Sequence, residues 1–147
     1  MSESPPFWPP YARVPPFMPV PLRARADGWT PERQARFIGL LAETGSVAEA
    51  ARRCGMGRES AWRLRRRHAA ESFAHAWDAV VAIRQGTPLP RRKVTLAELG
   101  GYAIEGPFMV QMRRRRFLRA QRKPCTTALL RHIRRLDAAA LRGGWEL

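Results

Sequence analysis

Two runs of arginine hold the residues of this chain best suited to chemistry, and that chemistry is recognition rather than bond-making. The first lies within Arg58-Glu59-Ser60-Ala61-Trp62-Arg63-Leu64-Arg65-Arg66-Arg67, and the second is Arg113-Arg114-Arg115-Arg116. A guanidinium is planar, permanently charged and forked, so it matches phosphate oxygens and the edge of guanine. Hydrolysis or strand transfer asks for other groups: clustered carboxylates around a metal, or a nucleophile beside an activating base. The acidic residues here are scattered along the chain, and no Gly-rich loop ends in Gly-Lys-Ser/Thr to cradle a nucleotide. Cys54 and Cys125 form no CxxC pair, and with His68, His75 and His132 isolated from one another they match no zinc spacing. The expectation is therefore no catalytic residue, no metal and no cofactor, with reduced structural thiols and ordinary hydrogen-bonded histidines.

On a helix over 58–67 with Ala61, Leu64 and His68 turned inward, Glu59, Arg63 and Arg66 point outward. Arg58 and Trp62 then flank them on one side, Ser60 and Arg67 on the other. Arg58 and Arg63, near the helix start, are placed for base edges, whereas Arg65, Arg66 and Arg67 suit phosphates, which carry no sequence information. Glu59 reads first as the partner of Arg63 at i,i+4, and second as an acceptor for cytosine. Trp62 reads as core packing before base stacking, and Phe73 and Trp77 as core alone. Arg113 to Arg116 sit beside Phe117 and Leu118 in a stretch with no acidic residue between Glu105 and Asp137. They suit a tip that reaches a phosphate backbone or an adjacent groove, the alternative being a solvated tip.

The elements that must position these residues follow from capping and periodicity. Thr30-Pro31 opens a helix that runs to Thr44, with Phe37, Leu40 and Leu41 on one face and Gly45 as its stop. Ser46-Val47-Ala48-Glu49 is a capping box for a short second helix to Cys54, and Gly55-Met56-Gly57 is the turn before the basic helix. A fourth helix is expected from Glu71 to Gln85, buried through Phe73, Trp77, Val80 and Val81. Phe108 to Met112 and Phe117 to Arg122 read as a hairpin with Arg113 to Arg116 at its tip, and Thr126 to Leu136, extendable to Arg142, as a final helix striped by Leu129, Leu130, Ile133 and Leu136. Residues 1–27 interleave proline with Phe7, Trp8, Tyr11 and Phe17 and read as a flexible polyproline-like arm packing loosely on the domain. The division is thus a flexible arm 1–27, a helix-turn-helix domain 28–86, a linker 87–106 with a short helix around Leu96, and a basic region 107–147. The fold class is mainly α, a helix-turn-helix bundle of about four helices followed by a hairpin and a last helix.

Capped helix, Gly-containing turn and basic helix is the order by which one helix braces another in a major groove. Small Ala50 and Ala51 permit the close crossing, Gly55 the left-handed turn, and Met56 plugs the core below it. On Phe37, Leu40, Thr44-Gly45-Ser46-Val47, Ala50-Ala51, Cys54 to Arg63 and Phe73 to Asp78, residues 29–85 resemble the homeodomain-like helix-turn-helix of phage terminase small subunits and related bacterial DNA-binding proteins. Gly57 departs from that pattern, standing where a Ser usually caps the recognition helix. The resemblance implies non-catalytic binding of double-stranded DNA.

Composition points the same way. The 147 residues carry a formal net charge of +15, from 27 Lys and Arg against 12 Asp and Glu, which implies a polyanionic partner. No apolar run is long enough to span a membrane and no signal-peptide pattern opens the chain, so a cytoplasmic, nucleoid-associated protein of a bacterium or phage is expected, with no membrane partner. A sequence-specific transcription regulator is the first reading. A packaging adaptor like the terminase small subunits is the second and an architectural nucleic-acid-binding protein the third; a homo-oligomer is left open.

Overall fold

The computed structural model describes residues 8–23, 25–92, 96–122, 124 and 126–142. Its elements are α1 (Pro31–Thr44), α2 (Val47–Arg53), α3 (Arg58–Arg65), α4 (Glu71–Gln85), α5 (Leu96–Ile104), the strands β1 (Phe108–Arg113) and β2 (Arg116–Arg122), and α6 (Thr126–Arg142). The mainly helical class, the hairpin and the final helix are as the residue pattern predicts.

The caps explain the first boundaries. The Thr30 hydroxyl accepts from the Arg33 amide at the start of α1, and Gly45, at φ 70°, ends the helix by donating its amide to the Leu41 carbonyl. The Ser46 hydroxyl accepts from the Glu49 amide to open α2. Gly55 takes φ 73° in the turn before α3. Helix α1 lies at the centre: α2 and α4 pack on it from one side and both strands from the other. That is why Gln34, Ala35, Phe37, Ile38, Gly39, Leu40, Leu41 and Ala42 are all buried, where a surface helix would bury one stripe. Phe37 meets Trp77 at a ring-centroid distance of 5.0 Å and Phe73 at 6.1 Å, and each such fully buried side chain contributes roughly 1.5–3 kcal/mol. On the other side an added Cβ at Gly39 would overlap the Phe117 ring, so the hairpin approaches α1 where there is no side chain.

The N-terminal arm corrects the sequence reading. Its described part turns at Pro10–Tyr11 and then runs without helix from Ala12 to Arg23, but Trp8, Val14, Phe17 and Val20 are core residues, not a loose coat. Phe17 stacks between Phe73 and Phe108 and forms an isolated antiparallel bridge with Phe108, its amide and carbonyl both paired. The Gln34 carboxamide, buried on α1, accepts from the Val20 amide at 2.7 Å and donates to the Val20 and Trp29 carbonyls at 3.1 Å. The Met18 amide donates to the Ser72 hydroxyl. Proline locks φ in advance, so an extended Pro-rich strap gives up less backbone entropy on docking than an ordinary loop, and its apolar side chains then suffice to hold it.

The hairpin closes on a two-residue turn at Arg114 (φ 51°) and Arg115 (φ 68°), between the paired Arg113 and Arg116. Two positive φ values fit the twist of an antiparallel ribbon. Helix α5 occupies part of the expected linker, and α6 extends to Arg142 and packs on α5 alone among the named elements. Its predicted stripe is half open: Leu129, Leu130, Ile133 and Leu136 are 42–51% exposed.

Candidate nucleic-acid interface

Helix α3 is seated by what it buries. Ala61 and Leu64 enter the core, as expected; His68 does not, because the helix ends at Arg65 and the chain turns through Arg66 to Ala69, at φ 61°, leaving His68 exposed. The expected span to Arg67 is therefore too long at its end. The Trp62 ring lies half-buried against Trp77 at 4.8 Å, so this candidate contact is first a packing residue. Ser60 is turned inward too, accepting a hydrogen bond from Trp29 Nε1 at 2.5 Å. A cleft of about 190 Å³ is lined by Leu22, Trp29, Ser60, Arg63, Leu64 and Arg67. Gly57 stands at the N-cap of α3 and gives the helix no side-chain cap.

Arg58, Glu59, Arg63, Arg66 and Arg67 are exposed. The expected Glu59–Arg63 link is not formed, and Arg65 is not a free phosphate contact. Its guanidinium makes a bidentate pair with Asp78 at 2.9 and 3.2 Å while lying 4.9 Å from the centre of the Trp77 ring and 5.7 Å from that of Trp62. Arg65 thus clamps α3 to α4, because a half-buried position beside Trp77 offers it a carboxylate and two π faces that solvent does not.

Other acids are spent on arginines away from α3. Arg52 pairs with Glu49, Arg53 with Glu43 and Glu49, Arg92 with Glu98, and Arg122 with Glu105. The hydrogen bond from Arg52, and then that from Arg53, holds the Glu49 carboxyl down to about 2. Among the described residues no carboxylate pairs with Arg58, Arg63, Arg66 or Arg67, nor with Arg113, Arg114 or Arg116. Of the two arginine runs singled out in the sequence, Arg58, Arg63, Arg66, Arg67, Arg113, Arg114 and Arg116 are therefore surface left uncompensated among the described residues.

The tip and α3 sit on different supports and are not packed against each other. Glu43 links the tip's base to the helix-turn-helix: one carboxylate oxygen accepts from the Phe117 amide at 2.9 Å, and the other pairs with Arg53 of α2 at 2.7 Å. Glu43, Trp29 and Asp78 were not legible as site residues, because each acts through a partner far along the chain. Cys54 is free and buried, its thiol pushed up to about 11 by desolvation, which fits a structural role; Cys125 lies outside the described residues. His75 bonds the Pro90 carbonyl. Among the described residues no group of His, Cys, Asp and Glu can hold a metal ion, and no helix is long and apolar enough to cross a membrane.

No protein-family model matches this chain, and neither a curated protein nor a solved structure matches it.

Proposed function

We propose that the chain binds double-stranded DNA without catalysis, as a cytoplasmic, nucleoid-associated transcription regulator that reads base edges with the exposed face of α3 and grips phosphates with the hairpin tip. The observation that carries this reading is the distribution of carboxylates. Acids neutralise arginines on α2 and β2, Arg92 ahead of α5 and Arg65 on the inner side of α3, while Arg58, Arg63, Arg66 and Arg67 and the tip arginines Arg113, Arg114 and Arg116 have no acidic partner among the described residues. A basic face left open on the second helix of a helix-turn-helix is the electrostatic footprint of groove binding. Ser60 and Trp62 then act behind the contact surface, setting the pitch of α3 through Trp29 and Trp77.

A packaging adaptor on an oligomeric scaffold is the second reading, favoured by the half-exposed apolar stripe of α6. The homeodomain-like resemblance is compatible with both.

The test separates readout from grip. Arg63→Ala is expected to lose about 1–3 kcal/mol on a site selected from random duplex DNA and much less on unselected duplex. Replacing Arg113, Arg114, Arg115 and Arg116 by Ala is expected to weaken all duplexes alike and to flatten the dependence of log K on log salt by about one for each phosphate no longer neutralised. An equal drop in affinity on selected and unselected DNA from both variants would remove recognition from α3.

A further inference from the structure

The outer edge of β1 is open where the N-terminal arm leaves it. Phe108 uses both its amide and its carbonyl on Phe17, so in this strand Phe108, and two residues on Val110, direct their backbone groups away from β2. The bulge that interrupts the ladder comes later, between Gln111 and Met112. In the antiparallel register begun at Phe17, the arm residue facing Val110 would be Pro15, which has no N–H. Pro15 cannot donate to the Val110 carbonyl, and the Val110 amide and carbonyl have no partner among the described residues. Alongside them runs a groove of about 630 Å³, with Pro10 to Val14 on one wall and Met109 to Arg113 with Leu118 on the other.

We propose that this groove receives an extended, acidic segment of a partner protein, which adds to β1 as a further strand. The backbone edge offers a donor and an acceptor from the same residue, a pattern that a peptide strand matches in full and a phosphate backbone, which has only acceptors, does not. Charge selects the side chains: Arg13 and Arg113 line the groove and no acidic residue does. Tyr11, Met109 and Leu118, at 85%, 46% and 52% exposure, supply apolar contact at the rim. A second copy carries the same net charge of +15 and would meet Arg13 and Arg113 with like charge, which disfavours that occupant. The bridge at Phe17 shows that the edge accepts an extended chain, and the groove continues it.

The experiment uses the full-length, isotopically labelled protein and a synthetic peptide in which Glu and Val alternate. Binding is expected to slow exchange of the Val110 amide by about tenfold or more while leaving the Met109 and Gln111 amides, which face β2, unchanged. The same peptide N-methylated at alternate residues, or with Lys in place of Glu, is expected to leave all three amides unchanged. Arg13→Glu, an exposed position outside the DNA-binding residues, is expected to weaken the peptide about tenfold. The proposal is overturned by an unchanged Val110 amide at peptide concentrations near millimolar, by equal binding of the Lys peptide, or by a DNA duplex that protects Val110 as well as the Glu peptide does. None of these readouts depends on the DNA-binding reading.

Discussion

The N-terminal arm and helix α6 exchange the roles their sequences suggest. The arm has no periodicity and a proline every few residues, yet Phe17 is fully buried and Trp8 and Val20 are 1% exposed. Helix α6 has a clean apolar stripe, yet Leu129, Leu130, Ile133 and Leu136 are each more than two-fifths exposed. Periodicity reports which backbone a segment adopts; whether a face is docked depends on what the rest of the chain offers it. Between the hairpin and α4 there was an aromatic slot at Phe73 and Phe108, and on α1 a buried carboxamide at Gln34, and the arm meets both. Among the named elements α6 packs on α5 alone.

The largest expected effect tests the arm directly. Phe17→Ala removes a ring packed at 6.0 Å on Phe73 and 6.1 Å on Phe108, and should cost on the order of 3–5 kcal/mol in urea unfolding. A cost below about 1 kcal/mol would make the arm the loose tail its composition suggests and dissolve the contrast with α6.

A smaller effect sharpens the reason the arm stays. Gln34→Ala leaves the Val20 amide and the Val20 and Trp29 carbonyls without their side-chain partner, and orphaned buried groups cost about 1–3 kcal/mol. Gln34→Glu should be no rescue, because a carboxylate cannot donate to the two carbonyls. If Gln34→Ala were neutral, apolar burial alone would hold the strap.

What was legible in the sequence follows from the same distinction. Thr30, Gly45, Ser46, Gly55 and Gly86 act locally, through caps and left-handed turns, and they place α1, α2, α3 and α4 close to where the residues predict. The hairpin was visible from its apolar flanks around the arginine run. The burial of Trp8 and Phe17 was not, because that of Phe17 depends on Phe73 and Phe108, far along the chain, and proline is silent about docking. Within the candidate interface, the exposed Arg58 and Arg63 are where the helical wheel puts them, while Arg66 and Arg67 are exposed past the end of α3. Arg65 was misread as a phosphate contact because its carboxylate, Asp78, lies on another helix, and Glu59 because an i,i+4 spacing permits a pair without requiring one.

The smallest effect falls on α6 and asks whether its open face is idle. Leu141 is 86% exposed, so Leu141→Glu removes almost no buried area and, in a monomer, should shift stability by no more than about 0.5 kcal/mol. A larger effect has to come from a surface that this chain does not cover by itself. Self-association ties stability to protein concentration by mass action, so unfolding midpoints measured across a wide concentration range identify the source. If wild-type and Leu141→Glu chains differ only at high concentration, the C-terminal end of α6 is a contact between copies, and the packaging reading gains over the regulator. If they differ equally at every concentration, α6 docks within its own chain, and the arm and α6 are then alike after all. If they never differ, the face is solvated, and its apolar side chains are held by α5 alone.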